Sequence, residues 1–376
     1  MTATELLQNL VRRPSVNPMG RTDIPADLAH EGRVTGFLED QLKALGVECR
    51  RQPVAPGRDN LIAFYRSGSP TTYLWEAHQD TVPVDGMTVE PFAAAVRDGK
   101  LYGRGACDVK AGIACMFTAF ARLVREKPVG SANVTLAFTV DEEHTFLGVL
   151  ELMKAGLSAD FAVVAEPTLL NVVTTHKGVV RWQLDTTGRA CHSSRPDQGV
   201  SAVYRMAKVL TAIEEYATKL QASWSHPQLG PPTLSVGMIA GGVSPNTVPD
   251  KCAIQIDRRL LPGEVAQAAI DDLSNHLAAQ NLGFPIHTTP TLACAALSPV
   301  ADDHPHLLKL AAAIGPHEKL AVPFGTDAST ISPAIPAVVF GPGDIAQAHT
   351  KDEWIELDQL DRAVEILFRF ACGRPA

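Results

Sequence analysis

The stretch TYLWEAHQDTVPVDG, residues 72–86, decides how this chain is read. An apolar run over 72–77 ends in His78, Asp80 follows two residues later, and Pro83 and Gly86 break the pattern. A short apolar run bounded by turn residues predicts a buried strand. Strands buried on both faces belong to open α/β sheets, which bind ligands beyond the carboxyl ends of their strands. His78 and Asp80 stand at that end.

Working outward, a helical pattern over 29–45 and an apolar run over 60–65 precede this segment. A helical pattern over 112–124 and runs over 133–140 and 161–165 follow it. This alternation predicts an α/β domain with a mostly parallel central sheet. From residue 176 the texture changes. GVVRWQLDTTGRA, PTLSVGMIAGG and DKCAIQIDRRLL alternate apolar and polar residues, with a helical pattern at 201–219 after the first and another at 264–277 after the last. Such alternation marks half-solvated strands, so this part reads as an α+β unit with helices on one side. The parallel texture returns with AIPAVVFGPG and a last amphipathic helix over 357–370. The predicted organisation is one domain of residues 1–175 and 296–376, with an α+β domain of residues 176–295 inserted.

Composition narrows the function. The chain has 376 residues, 45% hydrophobic and 20% charged, as in folded globular enzymes. Its net charge of -8 opposes binding to nucleic acid and to anionic membranes, and no basic run offsets it. Seven cysteines without C-x-x-C spacing argue for buried thiols rather than a disulfide framework. No uncharged run reaches the roughly 18 residues of a membrane span, and the first helical pattern is too polar for a signal segment. The expectation is a cytoplasmic protein with no nucleic-acid or membrane partner.

Four apolar runs end in residues that ligate metals: His78, the triplet Asp141-Glu142-Glu143, Glu166, and, one loop beyond AVVFGPG, His349. Asp108 in LYGRGACDVKAG precedes a helical run, where a carboxylate is also a natural cap. Taken singly, each residue has an ordinary reading as a cap, a solvated turn or a loop histidine. Together at one sheet edge they form a mixed nitrogen and oxygen set suited to zinc, cobalt or manganese. With Asp108 bridging, the set is large enough for two ions. Asp80 supplies the carboxylate that orients a ligating histidine. Gly103 and Gly105 hint at a dinucleotide fingerprint, but its third glycine is replaced by Asp108.

In this order, AHQDTVPVDG, LYGRGACDVKAG, VDEE, AEPT, GRACHSSRPDQGVSA, GGVSPNTVPDKCAIQIDRRLLPGE and GPGDIAQAHTKDEW resemble the signatures of a two-zinc amidohydrolase family, peptidase family M20. That family includes acetylornithine deacetylases, succinyl-diaminopimelate desuccinylases, aminoacylases and carboxypeptidase G. The resemblance implies a zinc-peptidase-like catalytic domain with an inserted ferredoxin-like lid and dimerisation domain. It implies two Zn2+ ions, replaceable by Co2+ or Mn2+, one held by His78 and Glu166 and the other by Glu143 and His349, with Asp108 bridging through a cis peptide to Val109. Glu142 is then the general base, Asp80 its catalytic neighbour behind His78, and His192 a donor to the oxyanion, supplied by the partner subunit in dimeric relatives. Arg258 is expected to clamp the substrate carboxylate while Arg259 faces solvent, and Asn246 and Thr326 to lie near the substrate.

The implied reaction is hydrolysis of an N-acyl amino acid, and FGPGDIAQAHTKDEWIE is more similar to deacetylases acting on N-acetylornithine than to desuccinylases. The alternatives are a desuccinylase, an aminoacylase, a dipeptide hydrolase, or a catalytically silent binding protein. The last predicts loss of a ligand or of the base, and every one is retained. A homodimer through the lid is also expected.

Overall fold

The computed structural model describes residues 1–376. The chain separates into two compact units, one of Met1–Thr174, Pro299–Leu320 and Thr326–Ala376, the other of Thr175–Ser298 and Ala321–Gly325.

The first unit is built on an eight-stranded sheet. Its strands run in the order Glu48–Ala55, Arg58–Tyr65, Asn133–Thr139, Thr72–His78, Phe161–Val164, Ala337–Val339, Val172–His176 and Lys319–Val322. The four strands from Asn133–Thr139 to Ala337–Val339 are parallel, whereas Arg58–Tyr65 runs antiparallel to Glu48–Ala55 and to Asn133–Thr139, and Val172–His176 antiparallel to Ala337–Val339. The central strands are almost wholly buried, as their unbroken apolar runs require. Trp75, Leu136, Phe138 and Phe161 fill the core, and helix Lys110–Glu126 packs against Ala3–Val11 and Leu357–Cys372. Local signals set the helix ends: Thr2 and Glu5 form a capping box, and Gly373 closes the last helix in the left-handed region.

Register places the site. His78 lies opposite Thr139 and Glu76 opposite Val164, so the strands stop level with one another. The residues that follow them, Asp141 to Glu143 and Glu166, therefore emerge at one edge.

The second unit runs strand, helix, strand, strand, helix, strand. Its antiparallel sheet has the order Thr233–Gly241, Lys251–Leu260, Gly178–Thr187 and Ile286–Cys294, with helices Ala202–Ser223 and Ala266–Ala279 sharing a core with Trp182, Ile254 and Ile256. This is the split βαβ, ferredoxin-like arrangement. The strand Ile286–Cys294 escaped the sequence reading because its residues are mostly exposed and include Pro290, which suits only an edge. The seven cysteines form no disulfide; Cys107, Cys115, Cys252 and Cys294 are buried, whereas Cys49, Cys191 and Cys372 are only half-buried. No helix is long and apolar enough to cross a membrane.

Candidate active site

Seven of the predicted residues meet at the carboxyl edge of the first unit's sheet. His78 Nε2 lies 3.2 Å from Asp108 Oδ1 and 3.9 Å from Glu166 Oε1. His349 Nε2 lies 3.4 Å from Asp108 Oδ2 and 3.1 Å from Glu143 Oε2. The two oxygens of Asp108 thus face two different histidines, as a bridging ligand requires. Asp108 does not cap the helix that follows, whose N-cap is Val109 with no side-chain bond, and the Asp108-Val109 peptide is cis.

These spacings suit a shared cation. Donor atoms on tetrahedral zinc, at about 2.0–2.2 Å from the metal, stand about 3.3–3.6 Å apart. His78 with Glu142 and Glu166, and His78 with Asp108 and Glu143, form two clusters whose donor atoms all lie within 4.8 Å of one another. His78 Nδ1 donates to the Asp80 carbonyl at 3.0 Å, which leaves the Nε2 lone pair facing Asp108 and Glu166.

The Asp80 carboxylate lies 3.6 Å from His78 Nδ1 and has further partners. It accepts the backbone N–H groups of Glu142 and Glu143, both at 3.2 Å, and the Asn17 amide at 2.8 Å. Asn17 also reaches Asp141, which accepts from Arg58 at 2.7 Å, and Arg58 grips buried Glu31. Glu142 and Glu143 are therefore held from behind by a buried ionic network. Asp141 and His349 adopt positive φ, a cost that surrounding structure sustains at functional sites.

Electrostatics show a centre short of positive charge. Burial, then the charges of neighbouring carboxylates, pushes Glu142 and Glu166 well above the usual carboxylate range, and Glu143 rises for the same reasons. Burial opposes charge on His78, yet Asp108 and Asp80 raise its affinity for a proton well above normal. Bonds to Asp108 and Glu143 push His349 up to about 10. A buried cluster of carboxylates and histidines that raise one another's affinity for protons is a charge arrangement that divalent cations compensate. The hard nitrogen and oxygen donors present fit such ions.

Of the other predicted residues, three belong to the second unit and Thr326 to the first. His192 and Asn246 are brought together on an exposed two-stranded ribbon of the second unit: His192 pairs with Thr247, and Ser193 N–H donates to Asn246 O at 2.9 Å. Ser194 N–H donates to His192 Nδ1 at 3.2 Å, so in the neutral ring Nε2 carries the proton and is a donor. Thr326 is fully buried in the first unit, its hydroxyl accepting from Ala328 N–H where a short helix begins.

Arg258 corrects the sequence reading. Its guanidinium is buried among the second unit's helices, bonded to Glu264 at 2.8 Å, the Tyr216 hydroxyl at 3.0 Å and Ala269 O at 3.1 Å. Strand alternation sends Arg258 to the helix-covered face with Ile254, Ile256 and Leu260, and Arg259 to the other face, paired with Asp257. Arg258 holds the fold together and is not available to a ligand.

Other residues escaped the sequence reading. Glu76, inside the apolar strand, and Asp327 flank the Thr139 hydroxyl, and burial pushes Glu76 up to about 7. Arg58, Asn17 and Glu353 were also passed over. Glu76 alone carried a signal, a charge two residues before His78 and so on the same strand face.

Comparison with known proteins agrees with this geometry. Residues 74–372 match the model of peptidase family M20/M25/M40. The chain belongs to that family. It is 32% identical to an acetylornithine deacetylase of Vibrio cholerae serotype O1, over 97% of this chain and 96% of that one. Among solved M20 structures, a metallo-carboxypeptidase from Sulfolobus solfataricus superposes with a TM-score of 0.81 at 18% identity, covering 98% of both chains. A dinuclear metal-binding M20 peptidase from Bacillus subtilis gives 0.70 at 16% identity, covering 98% of this chain and 96% of that one. The fold is thus that of M20 metallopeptidases.

Proposed function

We propose that this M20 protein hydrolyses the amide bond of an N-acyl amino acid, N-acetylornithine or a similar N-acetyl amino acid. One observation carries the reading: five ligand-type residues converge with Glu142 beside them, on a chain resembling an acetylornithine deacetylase from end to end. His78 and Glu166 would hold one Zn2+, Glu143 and His349 a second, and Asp108 both; Co2+ or Mn2+ satisfies the same donors. Bound cations supply polarisation of the amide carbonyl and a more acidic water.

The chain's own residues do the rest. Glu142, whose burial favours its protonated form, takes a proton from the attacking water and passes it to the leaving nitrogen. Asp80 keeps Glu142 and Glu143 in place through their backbone N–H groups. His192 offers Nε2–H to the developing oxyanion, and Asn246 lies beside it on the ribbon. Arg259, on the sheet face away from the helices, takes the carboxylate-binding role expected of Arg258. A homodimer through the second unit is supported by its edge strand Thr233–Gly241, where Met238 and Ile239 are exposed; a monomer in sedimentation at micromolar concentration overturns it.

The test is turnover of N-acetylornithine, N-succinyl-diaminopimelate, other N-acetyl amino acids and a dipeptide by zinc-loaded protein. Preference for N-acetylornithine supports the reading. Preference for the succinyl compound or the dipeptide replaces its substrate, and no turnover with two ions bound overturns it.

A further inference from the structure

Glu353 has no part in the chemistry above, yet it is fully buried and every bond it accepts comes from the turn that carries Asp108. Its Oε2 accepts from Arg104 Nη1 at 2.7 Å and Gly105 N–H at 3.1 Å, its Oε1 from Cys107 N–H at 2.9 Å and Asp108 N–H at 3.0 Å. Its own carbonyl accepts from Gly103 N–H at 3.0 Å. This carboxylate organises the turn over residues 103–108.

Glu353 arrives on the segment that delivers His349, four residues earlier. That segment is anchored by Thr88 N–H donating to Lys351 O at 2.8 Å and by strand Trp354–Glu356, whose Trp354 pairs with Tyr102. Glu353 thus ties the His349 segment directly to the backbone of Asp108. His78 and Glu166 need no such tie, because they end neighbouring sheet strands and Ala165 N–H donates to Glu76 O at 2.8 Å.

We infer that Glu353 is a positioning residue that sets the Asp108 to His349 spacing, and so selectively maintains the cation site of Asp108, Glu143 and His349. The inference rests on the metal reading above. Glu353→Gln preserves volume but turns an NH2 toward backbone or guanidinium donors, which then lack an acceptor. Loss of a residue that orients metal ligands typically weakens metal affinity about 10–100-fold.

The experiment titrates metal-free full-length protein with Co2+ and with Zn2+, following heat and cobalt absorption. Wild type is expected to take up two ions. Glu353→Gln is expected to bind one ion within threefold of wild-type affinity and the other about 10–100-fold more weakly, giving a profile like that of His349→Ala and unlike that of His78→Ala. A Glu353→Gln protein that binds both ions at wild-type affinity, or loses both equally, overturns the inference. Where that variant does not accumulate folded, Glu353→Asp is held to the same ratio between sites. A wild-type chain that takes up no ion overturns the metal reading and this inference with it.

Discussion

The two units present their functional candidates in opposite ways. In the first, His78, Glu142 and Glu166 end or follow central strands, Asp108 stands just before helix Lys110–Glu126, and all four are largely buried, with Asp108 and Glu142 fastened through their backbone N–H groups by other buried carboxylates. In the second, His192 and Asn246 ride on a two-residue ribbon exposed to solvent, and the buried arginine beside the sheet is structural. Groups that must hold multivalent charge need rigid, dry support, because an unpaired buried charge is costly. Groups that meet a variable substrate serve on mobile, accessible segments. Substitutions in the first unit should therefore separate catalysis from metal binding, and those in the second should separate stability from catalysis.

Glu142→Gln gives the largest effect. In the proposed mechanism Glu142 is the general base and not a ligand, so its removal is expected to lower kcat by about 10²–10⁴-fold with two ions still bound. Steady-state kinetics with metal analysis check this, and loss of an ion would make Glu142 a ligand.

The two neighbouring arginines should divide next. Arg258→Met leaves half-buried Glu264 without its cation and is expected to cost about 1–3 kcal/mol of stability, read by denaturant unfolding, with KM unchanged. Arg259→Met, on the other face, should raise KM at least tenfold at constant Tm. If Arg258 moves KM and Arg259 does not, the assignment of faces fails.

His192→Ala should lower kcat by about 10²–10³-fold with unfolding unchanged, since the side chain is exposed. A variant that loses stability instead would place His192 among structural residues.

The smallest effect is on pH. Without metal His349 loses its proton only near pH 10, so at neutral pH an incoming cation must displace it. Metal affinity is therefore expected to rise with pH up to about 10, by at most tenfold per unit for each proton displaced. Calorimetry in buffers of different ionisation enthalpy measures that release, and uptake without proton release contradicts it.

Much of this was legible in the chain itself. The apolar runs, their lengths and the acidic or histidine residue ending each one specified a parallel core and its functional edge. Period-two alternation marked the inserted unit, since a strand with one wet face must repeat every second residue. Alternation also held the answer for Arg258 and Arg259, because Arg258 shares the parity of Ile254, Ile256 and Leu260. The motif match outweighed it.

Other features had no local signature. Gly103 and Gly105 looked like remnants of a nucleotide loop; a Cβ at Gly103 would lie 2.6 Å from Val11 and one at Gly105 2.6 Å from Thr81, so they are small because distant segments crowd them. Arg58 reaches Asp141 across 83 residues, and Arg104 reaches Glu353 across 249. The sequence by itself determined which residue types stand at which strand ends, since periodicity and chain direction are local properties. The tertiary structure alone decided which buried charges hold them in place, because those partners are set by the packing of segments far apart in the chain.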